Sequence, residues 1–159
     1  MTEQTLVLVK PDGVARGLIG EIISRFEQRG LKLIGLKFIW VDKKHASEHY
    51  DVHKDKPFFK GLVEFLTAGP VVAMVLEGVA AIEVVRKLTG STYPNESAPG
   101  TIRGDFAHVS KEYANRKNKT VANLIHASDS KESAEKEIAL WFSSDELINY
   151  KRSEDDFMI

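Results

Sequence analysis

The chain has 159 residues, of which 43% are hydrophobic and 28% are charged, proportions that are ordinary for a globular domain. The formal net charge of −1 gives no general attraction to nucleic acids or anionic membranes, and the lack of cysteine excludes disulfides and thiolate chemistry. The N-terminus has no signal-like segment, and no apolar run is long enough to span a bilayer. We therefore expect one cytoplasmic domain over residues 1–159, with no nucleic-acid or membrane partner.

The hydrophobic pattern of the first half of the chain predicts alternating strands and helices. Continuous apolar and β-branched runs predict strands at 5–9, 31–41 and 70–76. Apolar residues at helical spacing predict helices at 18–29, 43–51, 58–66 and 80–88. Gly30 and Gly90 follow the first and the last of these helices, where glycine commonly ends a helix.

An irregular segment opens the second half of the chain. Residues 91–104 contain prolines and glycines among Ser, Thr and Asn, and a loop of this length in a compact domain is usually functional or disordered. A last strand is predicted at 120–126 and a last helix at 133–142. The resulting βαββαβ order, with extra helices between the second and third strands, predicts an α/β sandwich. Its expected plan is ferredoxin-like, with a four-stranded antiparallel sheet.

The most informative local pattern is a histidine between the last strand and the last helix. His126 ends a short apolar run, and Glu137 lies at the edge of the inward-facing stripe of the following helix. A carboxylate in that position can hold one ring nitrogen and leave the other free to attack. The simpler interpretation is a strand-end histidine satisfied by local hydroxyls and a glutamate on the helix flank. These residues by themselves leave both interpretations open.

Cations at the ends of elements form a second candidate set. Lys10 ends the first strand, Arg86 lies near the end of a helix, and Arg103 lies in the irregular segment. Together they could neutralise a triphosphate, although each taken singly is more typical of a solvated surface charge. P-loop and protein-kinase motifs are absent from the sequence.

Three histidines recur at a spacing of four residues, at 45, 49 and 53. On one helix face they could bind a divalent metal. We favour a solvated face, because no inward carboxylate completes the set, and we expect no metal held by protein side chains.

Three segments resemble the nucleoside diphosphate kinases in order along residues 5–151: VKPDGV at 9–14, PGTIRGDF at 99–106 and NLIHASDS at 123–130. The resemblance implies a ping-pong kinase that moves the γ-phosphoryl group of a nucleoside triphosphate, mainly ATP, to a nucleoside diphosphate through a phosphohistidine at His126. Mg²⁺ would bridge the phosphates, bound mainly by nucleotide and water. The alternative is a non-catalytic, ferredoxin-like nucleotide-binding or regulatory module.

The resemblance also implies roles for individual residues. Glu137, acting through Ser128, would orient the ring of His126, and Tyr50 would lie beside it. Phe58 would stack on the base without reading its edge. The remaining nucleotide ligands implied by the matching positions are Lys10, Arg86, Thr92, Arg103 and Asn123.

Two departures and one assembly prediction accompany the resemblance. Ala127 stands where glycine is typical, which is costly only if φ is positive there. Residues 107–122 are longer than is typical of that family, and we expect a polar, exposed excursion near the mouth of the site, without apolar anchors. Pro94 and the long C-terminal segment resemble those of hexameric members, so we expect a homo-oligomer, a hexamer with a tetramer as the alternative.

Overall fold

Residues 2–158 are described by the computed structural model, and the strands in this part of the chain form one four-stranded sheet. They are β1 (Glu3–Val9), β2 (Lys32–Ile39), β3 (Val71–Gly78) and β4 (Ile125–Ala127). Their order across the sheet is β2-β3-β1-β4, and each neighbouring pair is antiparallel. The ferredoxin-like plan predicted from the sequence is confirmed.

Helices connect the strands and cover both faces of the sheet. They are α1 (Pro11–Ala15), α2 (Ile19–Gln28), α3 (Lys43–His49), α4 (Phe59–Leu66), α5 (Ala81–Thr89), α6 (Ile102–Phe106), α7 (Lys111–Arg116), α8 (Lys131–Trp141) and α9 (Asp155–Met158). Short 3-10 helices lie at Asp51–His53, Pro94–Glu96 and Ser144–Glu146. Among residues 2–158, every helix is too short or too polar to cross a membrane.

The sheet separates two apolar cores. Successive side chains of a strand point to opposite faces, so Val7 and Val9 of β1 pack with α2 and α5, whereas Leu6 and Leu8 pack with α3, α4 and α8. Trp141, at the end of α8, is buried in the second of these cores. The sheet is therefore apolar on both faces, which explains why β1 and β3 read as continuous apolar runs in the sequence.

The alternation of side chains also decides on which face His126 lies. His126 of β4 is the ladder partner of Leu8, and directly opposed residues of an antiparallel pair project to the same face. Its side chain consequently faces α3 and α8, the helices that carry His49 and Glu137. Its neighbours Ile125 and Ala127 are buried on the opposite face.

Alanine at position 127 fits the backbone without strain. Ala127 belongs to β4, pairs with Val7 and buries its methyl group in the core. The left-handed residue near His126 is Leu124, with φ of 73°. The amide of Leu124 donates to Asp12 Oδ2 at 2.9 Å, and its carbonyl accepts from the amide of Lys10 at 2.8 Å. These bonds hold an otherwise unfavourable conformation.

The last strand and the irregular segment differ from their predictions, and the short helices α1 and α9 were not predicted. The last strand covers Ile125–Ala127 instead of 120–126, because β1 offers partners only opposite these residues and the left-handed Leu124 precedes them. The irregular segment 91–104 contains a 3-10 helix and the start of α6, where the Thr101 side chain accepts from the Gly104 amide at 3.0 Å.

The prediction that the excursion at 107–122 lacks apolar anchors is wrong, because the segment is partly helical and buries one apolar residue. Ser110 caps α7 by accepting from the Tyr113 amide at 3.1 Å, and Ala114 of this helix is buried. A single small residue on one face escapes a search for apolar stripes, which explains why the helix was not predicted.

Candidate active site

His126 is held by a carboxylate on one side of its ring. Its Nε2 lies 2.9 Å from Glu137 Oε2, and Ser128 Oγ donates to the same carboxylate oxygen at 2.5 Å. Because a carboxylate only accepts, the His126 proton lies on Nε2, which leaves a lone pair on Nδ1. Ser128 is buried and also accepts from the Leu6 amide at 3.3 Å, so the glutamate is tied to β1.

Lys10 and Asn123 form a polar pair beside the histidine strand. Lys10 Nζ donates to Asn123 Oδ1, and Asn123 Nδ2 donates to the Thr92 carbonyl at 2.8 Å. Burial lowers the pKa of Lys10 to about 8, partly offset by the Asp12 carboxylate and reinforced by the nearby Arg103 guanidinium. The ammonium therefore stands in a desolvated position, where an anionic ligand would be a strong partner.

Arg103 is buried and binds main-chain carbonyls. Its Nε donates to Asn123, its Nη2 to Ile125, and its Nη1 to Gly90 and Ser91, at distances from 2.7 to 3.4 Å. Among residues 2–158 these bonds use four of the five N–H groups of the guanidinium, which leaves one on Nη2 for a ligand. Burial, together with Arg86, lowers the pKa of Arg103 to about 10, so the side chain is still charged at neutral pH.

A cleft of about 1060 Å³ joins the predicted site residues. Its volume suits a nucleotide-sized ligand. The predicted residues on its wall, in chain order, are Lys10, Tyr50, Phe58, Arg86, Thr92, Arg103, Asn123, His126 and Glu137. Ser128 is the one predicted residue that acts from behind this wall, through its bond to Glu137.

Tyr50 and Phe58 both line the cleft but differ in their exposure to solvent. Tyr50 is buried, which raises the pKa of its hydroxyl, and its ring lies 4.7 Å from that of His49. Phe58 is 52% exposed and lines the cleft, so a planar ligand could stack on its ring.

The interpretation of the histidines at 45, 49 and 53 as a solvated face is wrong for two of them. His49 is buried, with its ring 4.5 Å from that of His126, and the ring of His45 packs on Trp141 at 4.4 Å. The signal was present in the sequence, because Ala46, His49 and Tyr50 have the spacing of one helix face and all three are buried. The many polar neighbours on α3 obscured it.

His49, His126 and Glu137 form a group that could in principle hold a metal, with one polar atom of each within 4.8 Å of the others. The hydrogen bonds oppose this use. Trp141 donates to His49 Nδ1 at 3.1 Å, so the other nitrogen of that ring carries the proton and has no lone pair for a cation.

The excursion at 107–122 contributes more to the cleft than the sequence indicated. The residues of this segment that line it are Lys111, Asn115, Asn118, Lys119, Thr120 and Val121. They form an outer lip, rich in amide and ammonium groups.

A family model described as nucleoside diphosphate kinase matches residues 3–147. A nucleoside diphosphate kinase from Pyrococcus abyssi is 58% identical over 155 residues, which cover 98% of this chain and 93% of that protein.

Two solved structures share the fold. A transition-state mimic of nucleoside-diphosphate kinase from Borrelia burgdorferi, with bound vanadate and ADP, has a TM-score of 0.94 and 45% identity over 97% of this chain and 95% of that one. A halophilic enzyme from Halobacterium salinarum in complex with CDP has a TM-score of 0.87 and 49% identity over 98% and 97% of the two chains. The chain belongs to the nucleoside diphosphate kinase family.

Proposed function

We propose that this kinase transfers the γ-phosphoryl group of a nucleoside triphosphate to a nucleoside diphosphate in two steps, with His126 Nδ1 as the nucleophile. The observation that carries the proposal is the bond between His126 Nε2 and Glu137 Oε2 at 2.9 Å, which fixes the tautomer with a free lone pair on Nδ1. Ser128 fixes the glutamate in turn. A histidine with such a partner inside a nucleotide-sized cleft is suited to carry a phosphoryl group.

In the first step, His126 Nδ1 forms a bond to the γ-phosphorus while the bond to the bridging oxygen breaks, and the diphosphate leaves with that electron pair. In the second step a different diphosphate takes the group back by the reverse displacement. Lys10 and the free N–H of Arg103 would bind the phosphoryl oxygens as negative charge spreads over them. Arg86 and Thr92 lie on the same wall and would bind the other phosphates.

The nucleotide would enter with Mg²⁺ as part of the substrate. The carboxylate nearest His126 belongs to Glu137, and its Oε2 already accepts from both Ser128 and His126. Mg²⁺ prefers oxygen ligands and retains water, so phosphates and water would supply its coordination. The adenine, or another base, would stack on the exposed ring of Phe58, and Asn123 would bind sugar and phosphate oxygens. The complexes of the Borrelia and Halobacterium enzymes with ADP and CDP support more than one base as acceptable.

Incubation with γ-labelled ATP alone tests the proposal. We expect label on the protein that is labile to acid and stable to alkali, and a non-catalytic binding module would remain unlabelled. His126→Asn should abolish labelling and transfer while the fold is retained. His108→Asn is the matched control, because His108 is exposed and lies outside the cleft wall in the described part of the chain. Mass spectrometry that assigned the phosphate to another histidine would refute the proposed nucleophile.

A further inference from the structure

His49 has a ring proton without an acceptor. Trp141 Nε1 donates to His49 Nδ1 at 3.1 Å, and an indole nitrogen can only donate, so Nδ1 is unprotonated and the proton of the neutral ring lies on Nε2. His49 is 7% exposed, and its Nε2 is buried without a hydrogen-bond partner among residues 2–158. Unpaired buried donors are rare in folded proteins because each destabilises the fold.

The surroundings of His49 keep it neutral. Burial lowers its pKa well below the ordinary value, and His126, His45, Lys10 and His53 act in the same direction. A protonated ring would also place a second N–H against the indole N–H of Trp141. The resting protein therefore holds a neutral donor in a residue that lines the cleft.

The position of His49 next to His126 indicates which group could accept the hydrogen bond from its Nε2. Its ring is perpendicular to that of His126, with 4.5 Å between the ring centroids. The face of an imidazole ring is a weak acceptor, whereas a phosphoryl oxygen is a strong one. A phosphoryl group on His126 would bring such oxygens next to the His49 ring.

We propose that His49 Nε2 donates a hydrogen bond to an oxygen of the phosphoryl group carried by His126, and that Trp141 acts through His49 by fixing its tautomer. This inference rests on the proposed phosphohistidine at His126. As the bond from phosphorus to Nδ1 forms and the bond to the bridging oxygen breaks, His49 keeps its proton. A neutral donor stabilises the phosphoryl charge without adding a cation that would compete with His126 for Glu137.

The wild-type protein with ¹⁵N-labelled histidine provides the direct test. Long-range ¹H–¹⁵N spectra should show His49 unprotonated at Nδ1 and protonated at Nε2 in the resting enzyme. After phosphorylation with ATP and removal of the diphosphate, the Nε2 proton of His49 should move downfield. A proton on Nδ1, or an unchanged Nε2 proton while ³¹P spectra show phosphohistidine, overturns this inference alone. A failure to form phosphohistidine overturns the proposed function and this inference with it.

A matched pair of variants gives the kinetic test. His45 also packs on Trp141 and has a buried, unpaired Nε2, but it is not among the described residues that line the cleft. At saturating nucleotide, His49→Phe should form the phosphoenzyme about 10- to 100-fold more slowly, with nucleotide affinity nearly unchanged. His45→Phe should react at nearly the wild-type rate. Equal losses in the two variants, or a loss of affinity and stability without a selective loss of rate, would show a structural role only.

Discussion

At the scale of single residues, Lys10 combines a charge with a buried position. Its side chain lies at the end of β1, points to the same face as Leu8 and His126, and donates to Asn123 Oδ1. Side chains alternate between the two faces along β1, and Lys10, directly after the strand, continues this alternation. The same pattern that buries Leu8 therefore also buries the Lys10 cation at the cleft. Removal from water lowers the pKa of Lys10 to about 8 and so brings its titration close to neutral pH.

The pH dependence of kcat/KM should report this lysine. The ammonium is present below pH 8 and is lost as the pH rises above it, so kcat/KM should fall above about pH 8. Lys10→Arg should move the fall to higher pH, because a guanidinium keeps its proton. The control is Lys32→Arg, a buried lysine outside the described cleft wall, which should keep the wild-type profile. If kcat/KM of Lys10→Arg fell at the same pH as that of the wild type, the fall could not be assigned to Lys10.

Alanine variants of Lys10 and Arg103 should have similar kinetic defects but different losses of stability. Lys10→Ala and Arg103→Ala should each lower kcat more than they raise KM, since both cations would act mainly on the transition state. Arg103→Ala should also lower the free energy of unfolding by about 2–4 kcal/mol, because the carbonyls that Arg103 binds lose their donor.

Lys10→Ala should lack that loss of stability. The folded protein holds the Lys10 proton less tightly than the unfolded chain does, so the buried ammonium destabilises the fold below pH 8, and this cost fades as the pH rises toward 10.5. Denaturation at pH 7 measures the difference between the two variants. Similar losses of stability would show that Lys10 has the same structural role as Arg103.

At the scale of elements, the segment around α7 forms part of the cleft wall. A small buried alanine anchors it, and its polar residues form the outer lip. Lys111 and Lys119 lie on this lip, whereas Arg116 and Lys117 belong to the same segment but lie outside the described cleft wall. Variants within this one segment can therefore separate the effect of a charge's position from the effect of net charge.

Replacing the two lip lysines should weaken the capture of an anionic nucleotide. At about 0.1 M ionic strength, Lys111→Gln with Lys119→Gln should lower kcat/KM roughly 2- to 5-fold, because charges within about 10 Å are still felt there. The effect should shrink near 1 M salt, and kcat should be unchanged. Arg116→Gln with Lys117→Gln removes the same charge from outside the cleft and should have little effect. Equal effects of the two double variants would show that the lip lysines act only through the net charge of the protein and not through their position.

At the scale of the whole molecule, the outer end of the sheet is incompletely covered. β2 is an edge strand, and Leu36, Phe38 and Trp40 alternate along and just beyond it on one face, each more than half exposed. An exposed apolar edge strand is a ready site for pairing with another chain. We propose that a second copy covers this edge within a closed homo-oligomer.

Light scattering on the purified protein should give the mass of a hexamer. A tetramer would contradict only the hexamer, and a monomer or dimer would contradict the assembly as proposed. Phe38→Glu should lower the particle mass, because it places a charge in the apolar contact. Val79→Glu is the control, since Val79 is similarly exposed, at 57%, but follows the end of β3, at the opposite end of the β2–β3 ladder from Phe38. If Phe38→Glu assembles like the wild type, the contact lies elsewhere.

The sequence by itself predicted the order of the strands and of the longer helices, and it supplied the candidate residues for phosphoryl transfer. Its apolar runs and glycine stops located the first three strands and the longer helices, because periodicity reports which side chains must leave water. Local order could also place Glu137 on the inner edge of its helix, since residues along one helix have a fixed geometry. Lys10, Arg103 and His126 stood out because each belongs to a motif segment of the family.

Only the tertiary structure decided how distant side chains meet. The pairing of Leu8 with His126 put the histidine on the face shared with α3, and His49 thereby became its neighbour instead of a solvated residue. The four carbonyl partners of Arg103 and the bond from Trp141 to His49 likewise join residues far apart in the chain. Such contacts depend on the packing of whole elements, whereas sequence patterns report each element's own burial.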